Sequence, residues 1–290
     1  MSETAPHENP LVPNKKLRQI YTAMVEARLL DEHIAKLQRK AKSRHRLYST
    51  SGQEACRVAT ALELNPGDLV SDLQVSATMD LLFGTSLAPL LRHVAAVVSG
   101  TQSRTTLLSE ELTAKRQLPW TDDASDRLKM ALGAALAFKT LKQDNIVVAY
   151  THHADLPKRS WNQVLALAAE LSLPIIFVVL PEPDIKKSPA TNICAKARSA
   201  GLPGIPVDVN DAVALYRVAQ ESIGRARGGD GAVLIECISY RPAGQRSNKI
   251  DDPILHMKNF MTGRQVCSED WADHAGDTFR KNLAASIVKS

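Results

Sequence analysis

Residues 145–189 constrain the fold of this chain more than any other stretch. They read, in succession, NIVVAYT, HHADLPKR, SWNQVLALAAELS, LPIIFVVL and PEPDIKKSP. Asn145 to Thr151 is a short apolar run containing the β-branched residues Ile146, Val147 and Val148, the composition of a strand covered on both faces. Ser160 is placed to cap a helix. Trp161, Val164, Leu165, Ala168 and Leu171 then recur at helical spacing and lay one apolar stripe along it. Pro174 ends that helix, and Ile175 to Leu180 is a second apolar strand. The pattern predicts a βαβ unit, which belongs in a parallel sheet with a right-handed crossover. Open parallel sheets bind ligands at the carboxyl ends of their strands. Here those ends are the loops His152–Arg159 and Pro181–Ser188.

The remainder of the chain supplies more of the same architecture. Leu17 to about Ala41 carries Leu17, Ile20, Met24, Leu30, Ile34 and Leu37 on or near one helical face. Ser51-Gly-Gln-Glu predicts a helix start with Ser51 as N-cap and Glu54 closing a capping box, and Asn65-Pro-Gly-Asp68 predicts a turn. Met79 to Gly100 reads as two apolar helices. Leu128 to Lys142 reads as a helix whose small residues Gly133, Ala134 and Ala135 allow close packing. Asn210 or Asp211 caps a helix over Ala212–Arg227, and Ala232 to Ser239 is a further buried strand. The tail from about Asp252 reads as helices around Trp271 and Phe279. The fold class that follows is α/β: a mostly parallel central sheet with helices on both faces. Residues 1–15, polar and proline-rich, are read as a flexible arm, and residues 16–290 as one domain; the run from Thr101 to Asp126 is polar and fits no element. Lys36 to Arg46 holds six Lys or Arg and no acid. With only Tyr48 nearby to stack on a base, a nucleic-acid partner is not expected, and a solvated helix end is the favoured reading. Four widely spaced cysteines without a CxxC pair point to a reducing, cytoplasmic setting rather than a zinc site or a disulfide framework. No apolar run reaches the ~18–20 residues of a membrane span.

Several of these stretches, in this order, resemble the α subunit of the E1 component of thiamine-diphosphate-dependent 2-oxo acid dehydrogenases, of the pyruvate and branched-chain type. The resemblance rests on Arg28 in the long first helix, on Gly52-Gln-Glu-Ala55, on the Gly67-Asp68 turn, on Gly133-Ala-Ala-Leu-Ala-Phe-Lys139, on the βαβ unit, on Gly201-Leu-Pro-Gly-Ile-Pro-Val-Asp-Val-Asn-Asp211 and on Tyr240-Arg241-Pro-Ala-Gly244. It covers roughly Leu17 to Pro253. It implies a thiamine-diphosphate-binding fold, thiamine diphosphate and Mg²⁺ as cofactors, and an oxidoreductase acting on the oxo group of 2-oxo acids with a disulfide as acceptor. It also implies assembly as a homo-oligomer or as a hetero-oligomer with an E1 β-like subunit.

The ligand positions depart from the family pattern. The family's Gly-Asp-Gly falls on His152, His153 and Ala154, and its Asn-Asn on Pro181 and Glu182. Its Tyr-Arg falls near Leu73-Gln74-Val75-Ser76, and its loop His on Gln245, close to the retained Arg241. Mg²⁺ needs oxygen ligands, which imidazole and proline do not supply. The resemblance therefore predicts a degenerate cofactor site and a structural or regulatory subunit. The alternatives are an active subunit whose cofactor is held mainly by the β chain, and a transition-metal site rebuilt from His152, His153 and Asp155, with Glu182 or Asp184.

Overall fold

The fold follows from a parallel sheet whose three central strands are apolar on both faces and therefore lie inside. The computed structural model describes residues 11–41, 47–73, 76–102, 116–181, 192–239 and 252–287. Strands β1 (Leu69–Ser71), β2 (Val147–His152), β3 (Ile175–Leu180), β4 (Gly204–Asp208) and β5 (Val233–Ile238) form one sheet in the order β1-β2-β3-β5-β4. Every pairing is parallel, with Val147 opposite Ile175 and His152 opposite Leu180 in the central pair. All twelve residues of β2 and β3 are buried. That explains why these strands show continuous apolar runs rather than alternation.

Side chains alternate between two cores. Val148, Tyr150, Ile176, Val178 and Ile235 face one core, closed by α1 (Asn14–Lys40), α2 (Glu54–Ala61), α8 (Ala212–Arg227) and α9 (Pro253–Gly263). Val147, Ala149, Ile175, Phe177 and Leu234 face the other, closed by α5 (Ala124–Thr140), α6 (Lys158–Glu170) and α7 (Ile193–Ser199). A third cluster joins the C-terminal half of α1 to α4 (Leu87–Ser99) and α11 (Asp277–Ile287). The helices α3 (Ala77–Leu82) and α10 (Glu269–His274) complete the described elements. Among the described residues no helix is long and apolar enough to cross a membrane.

Two charged hubs fix helices to the sheet. Asp68, in the turn before β1, accepts from Ile146 N at 3.0 Å and Asn65 N at 2.6 Å, and it is paired with Arg227 at the end of α8. Arg28 on α1 donates to Glu54 at the start of α2 and, through both terminal nitrogens, to Asp252 at 3.1 and 3.2 Å. Asp252 in turn caps α9 through Ile254 N. Burial works against the charge of Arg28, yet its hydrogen bonds to Glu54 and Asp252 outweigh that and raise its pKa above the ordinary value.

Several local expectations are corrected. Ser160 is not the cap of α6. That helix begins at Lys158 after Pro157, whose carbonyl accepts from Trp161 N, so Ser160 lies inside the first turn. Ser51 is not the cap of α2. Gly52 adopts a left-handed φ of 85° in the turn closed by Gln53 N to Thr50 O, and the helix starts only at Glu54, whose carboxylate accepts from Gly52 N. Gly133 is exposed with open space beside it, and the close packing of α5 comes instead from Ala131 and Ala135. Val12 is fully buried and α1 begins at Asn14, so the end of the arm read over residues 1–15 is folded. Residues 1–10 lie outside the described residues. Asp211, of the two residues weighed, caps α8.

Gly204 at the start of β4 allows a close approach. A Cβ there would lie 2.4 Å from the Cys194 carbonyl oxygen and 2.8 Å from its Cα. Backbone atoms cannot swing aside as a flexible side chain can. Gly204→Ala is therefore expected to destabilise the fold by about 1–3 kcal/mol, read as a lowered urea midpoint with an unchanged slope.

Candidate functional site

The candidate site is the carboxyl edge of β1, β2 and β3. The register places His152, the last residue of β2, beside Leu180, so His153 and Pro181 follow from neighbouring strand ends. The structure thus brings together His152, His153 and Pro181, residues singled out in the sequence from two separate loops. Glu182, Asp184, Arg241 and Gln245 lie outside the described residues, as do Gln74 and Val75.

The β2 loop folds back on itself. His153–Asp155 form a short 3₁₀ turn. Asp155 Oδ2 accepts from the His152 backbone N–H at 2.8 Å and from Thr151 Oγ1 at 3.2 Å. The buried His152 ring places Nδ1 3.2 Å from the Leu180 carbonyl oxygen. A carbonyl only accepts, so Nδ1 carries the proton in that contact. The His153 ring stacks on Trp161 with centroids 6.5 Å apart, and Trp161 Nε1–H donates to the His153 carbonyl at 2.9 Å. Ala154 is exposed. Among the described residues no three His, Cys, Asp or Glu side chains are grouped to hold a metal ion. Of the alternative metal set His152, His153 and Asp155 with Glu182 or Asp184, the last two lie outside the described residues; the Asp155 carboxylate turns to the backbone and the His152 ring to β3.

Behind the strand ends lies a charged network that sequence patterning missed. Arg57, on α2, is fully buried. Its Nη1 and Nη2 donate to Asp72, the residue after β1, at 2.6 and 3.0 Å, and its Nε donates to Gln53 Oε1 at 3.1 Å. The guanidinium carbon lies 5.0 Å from the Tyr150 ring centroid and 5.7 Å from that of Tyr48. Gln53 also donates to the Tyr48 hydroxyl, and the Tyr150 hydroxyl contacts Thr60 Oγ1 at 2.7 Å. Burial opposes the Arg57 charge, but the Asp72 carboxylate outweighs it and raises the Arg57 pKa. Burial raises the Tyr150 pKa, so its phenol stays neutral. The signal was one cation inside the small apolar helix EACRVATA. A buried charge of that kind requires a partner.

Asp80 on α3 is also buried; its Oδ1 accepts from Gln117 Nε2 at 2.6 Å. Gln117 bridges Val70 in parallel, Leu118 N donates to Val70 O at 2.7 Å, and Trp120 Nε1 donates to Leu73 O at 2.6 Å. The segment 116–120 therefore covers the outer edge of β1. Burial, reinforced by the Asp72 charge and opposed by the Gln117 hydrogen bond, pushes the Asp80 carboxyl up to about 7.

Two outcomes follow from these geometries. Arg57→Ala leaves Asp72 as an unpaired buried charge and is expected to cost about 3–5 kcal/mol in denaturant unfolding. Asp80 binds a proton in the folded chain up to about pH 7 but releases it in the unfolded chain above about pH 4, so its contribution to stability falls as pH rises between those values. Asp80→Asn is expected to gain on wild type across that window and to hold the gain above it. The difference, on the order of 2 kcal/mol at pH 8, is checked by unfolding curves at several pH values.

Comparison with known proteins agrees with this architecture. Residues 21–262 match the family described as Dehydrogenase E1 component. The chain is 31% identical over 237 residues to the 3-methyl-2-oxobutanoate dehydrogenase subunit alpha of Mycobacterium tuberculosis (strain ATCC 25618 / H37Rv), with 79% of this chain and 62% of the relative covered. The chain thus spans about 62% of that relative's length. It is 24% identical over 306 residues to the pyruvate dehydrogenase E1 component subunit alpha of Staphylococcus aureus (strain Mu50 / ATCC 700699), covering 97% of this chain and 80% of the relative. With the family model matching most of its length, the chain belongs to the dehydrogenase E1 component family.

Proposed function

We propose that this chain is an α-type subunit of a 2-oxo acid dehydrogenase E1 component that builds no thiamine diphosphate–Mg²⁺ site of its own. It serves as a structural or regulatory subunit beside a β-type chain. By descent the assembly is an oxidoreductase acting on the oxo group of 2-oxo acids with a disulfide as acceptor, and this chain contributes scaffold to it. The observation that carries the reading is the Asp155 carboxylate, held by the His152 backbone N–H and Thr151 Oγ1 rather than presented beyond the strand ends.

The remaining groups support the same conclusion. Mg²⁺ takes oxygen ligands in near-octahedral geometry. At the family's Asp position stands His153, an imidazole stacked on Trp161. Pro181, at the strand end beside it, has no side-chain donor. His152 and Ala154 put Cβ atoms where the family's glycines let the backbone approach a diphosphate. Each missing charge-assisted contact removes on the order of 1.5–3 kcal/mol, and several such losses together lower affinity by many powers of ten.

Titration calorimetry of thiamine diphosphate with Mg²⁺ tests this. The chain alone is expected to give no binding heat. A mixture with an E1 β-type chain is expected to give no more than that β chain gives by itself. Micromolar binding that requires this chain would return it to the active subunits.

A further inference from the structure

We propose that Arg116–Leu118 form a strap over the free edge of β1, latched by Asp80 and released when Asp80 loses its proton. β1 is an edge strand of the sheet and only three residues long. The strap covers its outer side through one parallel bridge, Val70 with Gln117, and through Leu118 N–H, which donates to Val70 O at 2.7 Å. Just beyond, the chain is tied to α5. Arg127 donates to the Thr121 and Asp122 carbonyls and lies 5.8 Å from the Trp120 ring. The segment therefore has a fixed end at 120–122 and a latched end at 116–118.

Two features hold the latch near balance. The first is Asp80, buried on α3, whose carboxylate accepts from Gln117 Nε2 at 2.6 Å and meets no cation among the described residues. The charged groups on the elements around α3 are committed elsewhere. Asp31 on α1 accepts from Thr50 N and, at 3.3 Å, from Thr78 Oγ1. On α2, Glu54 pairs with Arg28, and Arg57 has both terminal nitrogens on Asp72. On α4, His93 Nδ1 lies 2.9 Å from Gln102 Oε1 and Arg92 is exposed. Asp72 adds only a charge of like sign. An ionised Asp80 is thus a buried charge with nothing to balance it, whereas the protonated acid is a neutral group with a hydrogen bond. The second feature is Arg116 on the strap itself. It donates to the Leu64 and Asn65 carbonyls and covers the Phe83 ring at 4.1 Å, yet its Nε is buried without a hydrogen-bond partner among the described residues. A buried donor left unmet opposes closure.

Lifting the strap admits water to both groups. The Asp80 carboxyl then returns from about 7 toward its ordinary value of about 4. Closing binds a proton and opening releases one. Below about pH 4 both states are protonated and the strap is held most firmly; from there to about pH 7 the open state gains about tenfold per pH unit, and above that it gains no more. The fully buried strands β2 and β3 need not part for this to happen, so the opening is local. Acidity then sets how often the β1 edge is uncovered.

Hydrogen exchange of the Leu118 amide in the full chain, followed by NMR and expressed as a protection factor at each pH, tests the latch. In wild type, Leu118 is expected to be less protected than the β2 and β3 amides throughout, and its protection to fall about a hundredfold from pH 5 to pH 7 and then level off. Asp80→Asn, which can accept the same Gln117 hydrogen bond without a charge, and Asp80→Ala are both expected to flatten that dependence. Asp80→Asn is further expected to keep at pH 8 the protection that wild type shows at pH 5. Leu118 protection that is constant with pH in wild type, or that keeps its slope in both variants, would overturn the role of Asp80. Leu118 exchanging only together with the β2 and β3 amides would overturn the strap as a unit that opens by itself.

Discussion

The buried Arg57–Asp72 ion pair is the interaction on which the arrangement around the strand ends depends. It joins α2 to the end of β1 and lies against the rings of Tyr48 and Tyr150. A pair of this kind does not necessarily add net stability, because desolvation offsets much of the attraction. What it adds is exclusiveness. Any shift of α2 along the sheet strands one of the two charges in an apolar core. The guanidinium uses all three of its nitrogens on Asp72 and Gln53, which admits a single orientation. The apolar contacts that Val58 and Ala59 of α2 make with the core could be remade after a small slip, but this geometry could not.

The same logic runs outward through the other polar hubs. Asp68 ties the start of β2 to the end of α8, and Arg28 ties α1, α2 and α9 into one body. Asp31, also buried, accepts from the Thr50 backbone and hydroxyl and so holds the segment leading into α2. Each acid lies between elements far apart in sequence. The apolar cores supply most of the driving force, whereas these contacts set which helix sits where. In the loop after β2 the Asp155 carboxylate organises its own backbone, accepting from the His152 N–H and from Thr151 Oγ1.

The resulting surface has unequal regions. The outer edge of β1 is closed by residues 116–120, while the ends of β2 and β3 carry imidazole, alanine and proline.

The sequence by itself determined the local periodic elements. The apolar runs at Val147–His152 and Ile175–Leu180 and the stripe from Trp161 to Ala168 specify a βαβ unit, because burial on both sheet faces leaves no alternation. Tertiary structure decided the rest. The starts of α2 and α6 depended on the Gly52 turn and on Pro157, which override the preference of a nearby serine for a cap. The partnerships of Arg57 with Asp72, Asp80 with Gln117, and Arg28 with both Glu54 and Asp252 span 15 to 224 residues. No spacing rule reaches that far. A buried charge reports in the sequence only that it needs a partner, and the order of the strands is what supplies one.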